Sequence, residues 1–488
     1  MKILKVLGGG ILLLAGVLVI NTLRVRPTPQ APVAQNLAEV DETAAAQRLA
    51  GALRIPTVTI NEAEKVDWSR WPVLHQYLAN AFPNVHRVLK LETVNQYSLL
   101  YTWEGADTNA PPILLLAHQD VVPIEPGTEK TWTHPPFDGV IAGGFVWGRG
   151  ALDDKSSLLG QLEAVEWLLA QHFKPARTIY FAFGHDEEIG GRQGAVKIAE
   201  LLQSRGVQAE FSLDEGGVLT QGVMPGIQRP VASIATAEKG YVSFKLTAHD
   251  AGGHSSRPPK ITAIGRLARA VVRLEKKQRP VRLAPPVDEM LQRLAGEFPW
   301  AQRLAIANLW LLRPLVARQL AQGQVTNALV RTTTAPTMFN AGIKDNVLPV
   351  EATAVVNFRV LPGETIAAVE AHVREVMDDA QIELSWLDFA SEPSPVADPS
   401  TAAFAALEKT VNEVFPEALV TTGLVIGATD NRHYGAVRRA RYNFLPVTIT
   451  AEDLARVHGA NERIAVKDHA RAVRFYVQLL RNTAAHNP

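Results

Sequence analysis

The 488-residue sequence predicts an α/β fold: a mixed, largely parallel sheet flanked by helices, with an inserted α+β unit. Three observations predict it. From about residue 40 to 236, short apolar strands alternate with helical runs, the order that builds parallel sheets. Near Lys239 the texture changes to apolar–polar alternation, which suits an antiparallel sheet with one solvated face. After about residue 394 the α/β texture returns and continues to about residue 482.

The N-terminus stands apart. Lys2 and Lys5 precede an uncharged run over 6–23, and Arg24 and Arg26 follow it. Its length suits a membrane anchor or a long signal-peptide core, with a buried globular helix as the plain alternative. No clear small-x-small cleavage site follows Ile20. Both flanks are basic, so charge does not fix an orientation. Residues 1–24 are therefore expected to anchor or export the protein, to the periplasmic or extracytoplasmic side. Residues 25–39, rich in Pro, Gln and Ala, read as a linker.

The first α/β stretch, 40–236, contains strands at 113–117, 179–183 and from 210, with helices at 156–171 and 195–204. GYVSFKLTAHD then alternates, with Val242, Phe244 and Leu246 on one face. A helix follows at 261–277, then helical pieces over 279–324. Strands are predicted at about 328–339 and 350–360, a helix at 365–380 and a last strand at 382–387. These make 237–393 a unit inserted between the two halves of the first domain, 40–236 and 394–484.

Composition narrows the function. Hydrophobic residues are 47% and charged ones 20%, as in a globular chain with a sizeable core. Lys plus Arg is 49 and Asp plus Glu is 49, which argues against a nucleic-acid binder driven by a basic surface. There is no cysteine, so any metal must be held by His and carboxylates.

Chemistry-bearing residues gather where strands end. In LLLAHQD, His118 and Asp120 face the same way on an extended segment, and a metal-bound imidazole usually hands its other N–H to a carboxylate. A solvated His–Asp pair is the plain alternative. In WGRGALDDKSS, Gly148 and Gly150 allow close backbone approach, and Asp153 and Asp154 precede a helix. An N-cap would explain one of those acids but not both. GHDEEIGG places His185, Asp186, Glu187 and Glu188 at the tip of a buried strand, where they are costly unless an opposite charge meets them. A salt-bridged loop would suffice for that motif alone. FSLDEGG adds Asp214 and Glu215, and EDLARVHGANERI adds His458. Two divalent ions about 3.5–4 Å apart need such a set: imidazoles, carboxylates, one of them bridging, and a free carboxylate as base.

These motifs, with GGHSSRP between them, resemble the M20 family of metallopeptidases, and within it the branch of carboxypeptidase S and the N-acyl-amino-acid amidohydrolases. The resemblance runs from about residue 45 to the C-terminus, with the motifs in the family's order. It implies two Zn2+, with Co2+ or Mn2+ as replacements. His118, Asp153 and Asp214 would hold one ion, and Asp153, Glu188 and His458 the other. It implies Glu187 as general base and acid, Asp120 as the orienter of His118, and a cis Asp153–Asp154 peptide. The inserted unit resembles the family's lid, which also dimerises. In relatives the histidine matching His254 reaches the other subunit's site and donates to the oxyanion. Arg359 resembles the residue that pairs with the substrate carboxylate, for which a planar guanidinium is suited, and Asn346, from the same stretch, is expected to bind substrate. Gly427 and Thr429, in GATDNRH, resemble the segment that cradles it, although Ala428 stands where the family has a second glycine.

The expected reaction is hydrolysis of an amide or peptide bond next to a free C-terminal carboxylate, as in a carboxypeptidase. The alternative is an N-(fatty) acyl amino acid amidohydrolase or synthase, for which the apolar stretch 304–320 would line an acyl pocket. A membrane-tethered binding protein without catalysis is a third reading, opposed by the presence of every expected site residue.

Overall fold

The computed structural model describes residues 2–32, 34 and 36–485. It divides into two compact units. One comprises Ala237–Val396, the N-terminal segment up to Pro27 and Leu424–Ala428; the other comprises Thr28–Thr236, Ala397–Gly423 and the chain from Thr429 onward.

The second unit is built on a mixed sheet whose central strands run parallel. Ile113–His118 lies between Ile179–Gly184 and Ala209–Asp214, parallel to both, and Arg438–Asn443 continues the parallel set beside Ala209–Asp214. Lys90–Val94 and Ser98–Trp103 extend one side antiparallel. Every residue of Ile113–His118 is buried, because helices cover both faces of the sheet. Strand alternation divides these side chains between two cores. Ile113 and Leu115 face the larger core with Phe181, Leu162, Phe404 and Phe475. Leu114 and Leu116 face a smaller one with Ala182, Ile198 and Tyr434.

The predicted elements recur with small shifts at their ends. The helix over 156–171 spans Lys155–Ala170, and Ala195–Ser204 forms as read. Gly150 takes a φ of +88°, and a Cβ there would lie 2.7 Å from Val121 Cγ1, so this turn requires glycine.

The other unit holds an antiparallel sheet in the order Thr333–Ala341, Glu351–Val360, Gly240–His249, Ile382–Ser391. Helices Ala263–Lys276 and Ile366–Met377 pack on it, burying Val242, Phe244, Leu246, Leu267, Phe358 and Val369 in one core. The strand expected from about residue 328 begins instead at Thr333, because Gln324–Val330 closes a helix first.

The expected anchor, residues 1–24, begins at Met1, outside the described residues. Lys2–Arg24 forms one helix, and Asn21 Nδ2 donates to Asn308 Oδ1 at 2.9 Å. Among the described residues, no helix is long and apolar enough to cross a membrane. Ile11, Leu12 and Leu13 on that helix are nonetheless exposed.

Candidate metal centre

The parallel strands deliver their acids and imidazoles to one edge of the sheet, where ligands of α/β sheets gather. His118 is the last residue of its strand; Glu187 and Glu188 lie in the 3₁₀ turn Glu187–Ile189 that follows Ile179–Gly184; Asp214 closes Ala209–Asp214, with Glu215 next. Asp153 lies just before the helix Lys155–Ala170, and its peptide bond to Asp154 is cis, as the resemblance implied. Asp154 occupies the helix N-cap position, yet its side chain makes no capping bond, so capping does not account for the paired acids.

Asp153 is the hub. Its Oδ1 lies 2.9 Å from His118 Nε2, and its Oδ2 lies 3.0 Å from His458 Nε2. His458 Nε2 also lies 3.2 Å from Glu188 Oε2. One carboxylate thus faces two imidazoles through separate oxygens, the disposition of a bridging ligand. Two trios bring one donor atom from each residue within 4.8 Å of the others: His118, Asp153 and Glu188, and His118, Asp154 and Glu215. Glu188 Oε1 is buried without a hydrogen-bond partner, a donor atom that a cation would satisfy.

Asp120 does more than the resemblance asked of it. The fully buried carboxylate lies 3.4 Å from His118 Nδ1. It also accepts the backbone N–H of Glu187 at Oδ1 and of Glu188 at Oδ2, both at 3.1 Å, and the Thr59 hydroxyl at 2.7 Å. The Asp120 backbone carbonyl lies nearer still to His118 Nδ1, at 3.0 Å, so one residue sets His118 and the Glu187–Glu188 turn together.

Beside His118 lies Glu215, the neighbour of Asp214 in the motif. Glu215 Oε1 lies 3.5 Å from His118 Nε2. The Asp214 carboxylate is engaged elsewhere, accepting Asn431 N–H at 2.8 Å and Glu215 N–H at 3.0 Å. The DEGG motif contains both acids, and neighbouring residues on an extended segment point to opposite sides. Spacing alone does not say which of the two points inward.

The protein's own groups hold protons tightly here. Burial and then Asp153 push Glu188 up to about 7 and Glu215 up to about 8. Burial, and then the Asp430 carboxylate, push Glu187 well above the ordinary range. Hydrogen bonds to Asp153 and Glu188 raise His458 to about 10. Burial opposes the charged form of His118, but hydrogen bonds to Asp120, Asp153 and Glu215 outweigh it and raise that imidazole. The Glu187 side chain belongs to neither trio; its Oε1 lies 3.9 Å from Arg432 Nη2. Asp430, buried against the glycines at 184 and 191, escaped the reading of the GATDNRH motif.

The remaining residues divide between the two units. Thr429 Oγ1 receives Asn443 Nδ2 at 3.0 Å within the unit that carries the centre. His254, Asn346, Arg359 and Gly427 belong to the other unit. His254 sits exposed on a two-residue strand, its Nδ1 receiving Ser256 N–H at 3.1 Å. Asn346 is exposed, its backbone carbonyl receiving Ser255 N–H. The Arg359 guanidinium lies over the Tyr241 ring, 4.7 Å from its centroid.

Residues 114–482 match the model of Peptidase family M20/M25/M40, well over half of the chain. The chain belongs to this family. Among M20 relatives, it is 40% identical over 448 residues to probable carboxypeptidase S-like 2 of Dictyostelium discoideum, covering 90% of this chain and 85% of that one. It is 41% identical over 455 residues to the N-fatty-acyl-amino acid synthase/hydrolase PM20D1 of Xenopus tropicalis, covering 92% and 88%. The fold resembles that of the M20 metallo-carboxypeptidase Sso-CP2 of Sulfolobus solfataricus, with a TM-score of 0.65 at 18% identity, covering 91% of this chain and 99% of that one.

Two outcomes follow for metal binding. Glu215→Ala should lose about one equivalent of bound metal, whereas Asp214→Asn should keep both, measured by metal analysis of purified protein. Loss of metal from Asp214→Asn with Glu215→Ala unaffected would restore Asp214 as the ligand. The proton-bearing forms of Glu188, near 7, and Glu215, near 8, must deprotonate for a cation to bind. His458, raised to about 10, must lose its proton as well, so metal affinity should fall as pH drops from about 10 to about 6. A flat calorimetric profile over that window would contradict these shifts.

Proposed function

We propose that this M20 protein is a two-zinc hydrolase that cleaves an amide or peptide bond next to a free C-terminal carboxylate, in the manner of a carboxypeptidase. The observation that carries the reading is Asp153 facing both His118 and His458, with Glu187 in the same turn as Glu188 and outside both trios. His118, Asp153 and Glu215 would hold one ion; Asp153, Glu188 and His458 would hold the other. Co2+ or Mn2+ would replace zinc with the same donors. When bound, the ions supply Lewis-acid polarisation of the scissile carbonyl and a water acidic enough to attack near neutral pH.

Everything else falls to the chain. Glu187 takes the proton of the attacking water at its carboxylate and returns it to the departing amine. Burial and the neighbouring Asp430 make Glu187 a stronger proton acceptor than an exposed glutamate. Asp120 keeps the His118 ring and the Glu187 backbone in one register. Arg359 is proposed to hold the substrate carboxylate, supported by its planar guanidinium and its stacking on Tyr241. Asn346, Gly427 and Thr429 are proposed to complete that grip. His254 is proposed to donate to the oxyanion, from the partner subunit of a homodimer formed through the inserted unit.

A second reading, hydrolysis or synthesis of N-fatty-acyl amino acids, is supported by the name of the Xenopus relative. It is also supported by the exposed apolar residues Trp310, Leu311 and Leu315 on the helix Leu309–Leu320. We further propose that the exposed apolar face of Lys2–Arg24 holds the protein at a membrane on the extracytoplasmic side.

Glu187→Gln should retain both ions and lose about 10²–10⁴-fold in kcat. A kcat within about tenfold of the parent, less than this type of catalysis supplies, would remove Glu187 from the role. On the zinc-loaded full chain, turnover of N-terminally free dipeptides above N-acyl amino acids supports the carboxypeptidase; preference for long acyl chains selects the second reading. Cell fractionation should place the full chain with membranes and a chain lacking 1–24 in the soluble fraction. A soluble full chain would contradict the membrane proposal.

A further inference from the structure

The metal centre draws its donors from segments far apart in the chain, and one buried ion pair joins two of them. Arg149 and Glu462 are 313 positions apart and both almost fully buried. Arg149 Nη1 donates to Glu462 Oε2 at 2.6 Å. The other Glu462 oxygen, Oε1, accepts the backbone N–H of Leu152 at 2.8 Å and of Asp153 at 3.2 Å. Arg149 Nη2 donates to the backbone carbonyl of His458 at 3.1 Å. Gly148 N–H donates to the Glu462 carbonyl at 3.0 Å, and Arg463 pairs with Trp147 in the adjoining antiparallel ladder.

Each partner thus grips the backbone of a residue on the opposite segment. Glu462, from the His458 loop, holds the amide of Asp153. Arg149, from the Asp153 loop, holds the carbonyl of His458. His458 most needs such support. It has a φ of +59°, its side chain is half exposed, and among the described residues its ring makes polar contacts only with Asp153 and Glu188. With half of the ring open to solvent, its placement relies on those two carboxylates and on its own backbone.

We propose that Arg149 and Glu462 are positioning residues that set the separation of Asp153 and His458, and so tune the second metal site without touching metal or substrate. The inference rests on the two-metal reading above. Partners that orient ligands in this way are typically worth about 10–100-fold in metal affinity. The site built on Asp153, Glu188 and His458 should bear most of that loss, because it depends on both supported segments; the site built on His118, Asp153 and Glu215 shares only the Asp153 support and should lose less.

The test is calorimetric titration of Zn2+ into the chelator-stripped full chain, with the visible spectrum of the Co2+-loaded protein as a second readout. The parent should take up two equivalents; a parent that binds none refutes the metal reading itself, separately from this inference. Glu462→Gln keeps the shape and an acceptor oxygen but removes the charge that holds Arg149. Arg149→Lys keeps the charge but loses the fork that also reaches His458. Each variant should bind the second equivalent about 10–100-fold more weakly, with a clearly smaller loss for the first. The Co2+ spectrum should change for that second equivalent, and kcat should fall more than KM rises. Unchanged affinities and spectra in a folded variant would overturn the proposal. Equal loss at both sites would also overturn it, showing a general structural prop. If Glu462→Gln fails to fold, the milder Arg149→Lys decides by the same criteria.

Discussion

The molecule is organised around a concentration of buried carboxylates that its own cations do not balance. Asp120, Asp153, Asp154, Glu187, Glu188, Asp214, Glu215 and Asp430 crowd together at this end of the parallel strands, with His118, His458, Arg432 and the buried Lys155 among the nearby basic groups. Burying so much like charge costs several kcal/mol per uncompensated group unless protons or cations enter. The raised pKa values of Glu187, Glu188 and Glu215 are the proton solution; divalent ions are the other, and the one that brings chemistry.

Holding that arrangement open requires rigid supports, and the fold supplies them as backbone rather than as more charge. Strands buried on both faces end together, so their last residues converge without flexible loops of their own. Asp120 spends its oxygens on the amides of Glu187 and Glu188 and on Thr59. Glu462 spends one of its oxygens on the amides of Leu152 and Asp153. In each case a buried acid is satisfied by N–H or O–H donors and in return fixes the turn that carries a donor atom.

Much of this was legible in the sequence, for identifiable reasons. Apolar runs of strand length between helical periods disclosed the parallel sheet, and the alternation in GYVSFKLTAHD disclosed the inserted sheet, because side-chain period follows burial directly. The acids stood out because ionisable residues at the tips of apolar strands need an explanation. Three things stayed hidden. Whether Asp214 or Glu215 turns inward depends on the Asn431 amide, which reaches Asp214 from 217 positions away. The pairing of Arg149 with Glu462 spans 313 positions; each lies in a quoted motif, but neither motif says that the two meet. The helix Gln324–Val330 occupies the start of an expected strand, since Val, Thr and Ala in a short run serve either state.

The most direct test of the central claim is anomalous diffraction at the zinc edge from crystals of the zinc-loaded protein. The account predicts two peaks about 3.5–4 Å apart, with Asp153 between them, His118 and Glu215 at one, and Glu188 and His458 at the other. A single peak, or two that do not share Asp153, would contradict it.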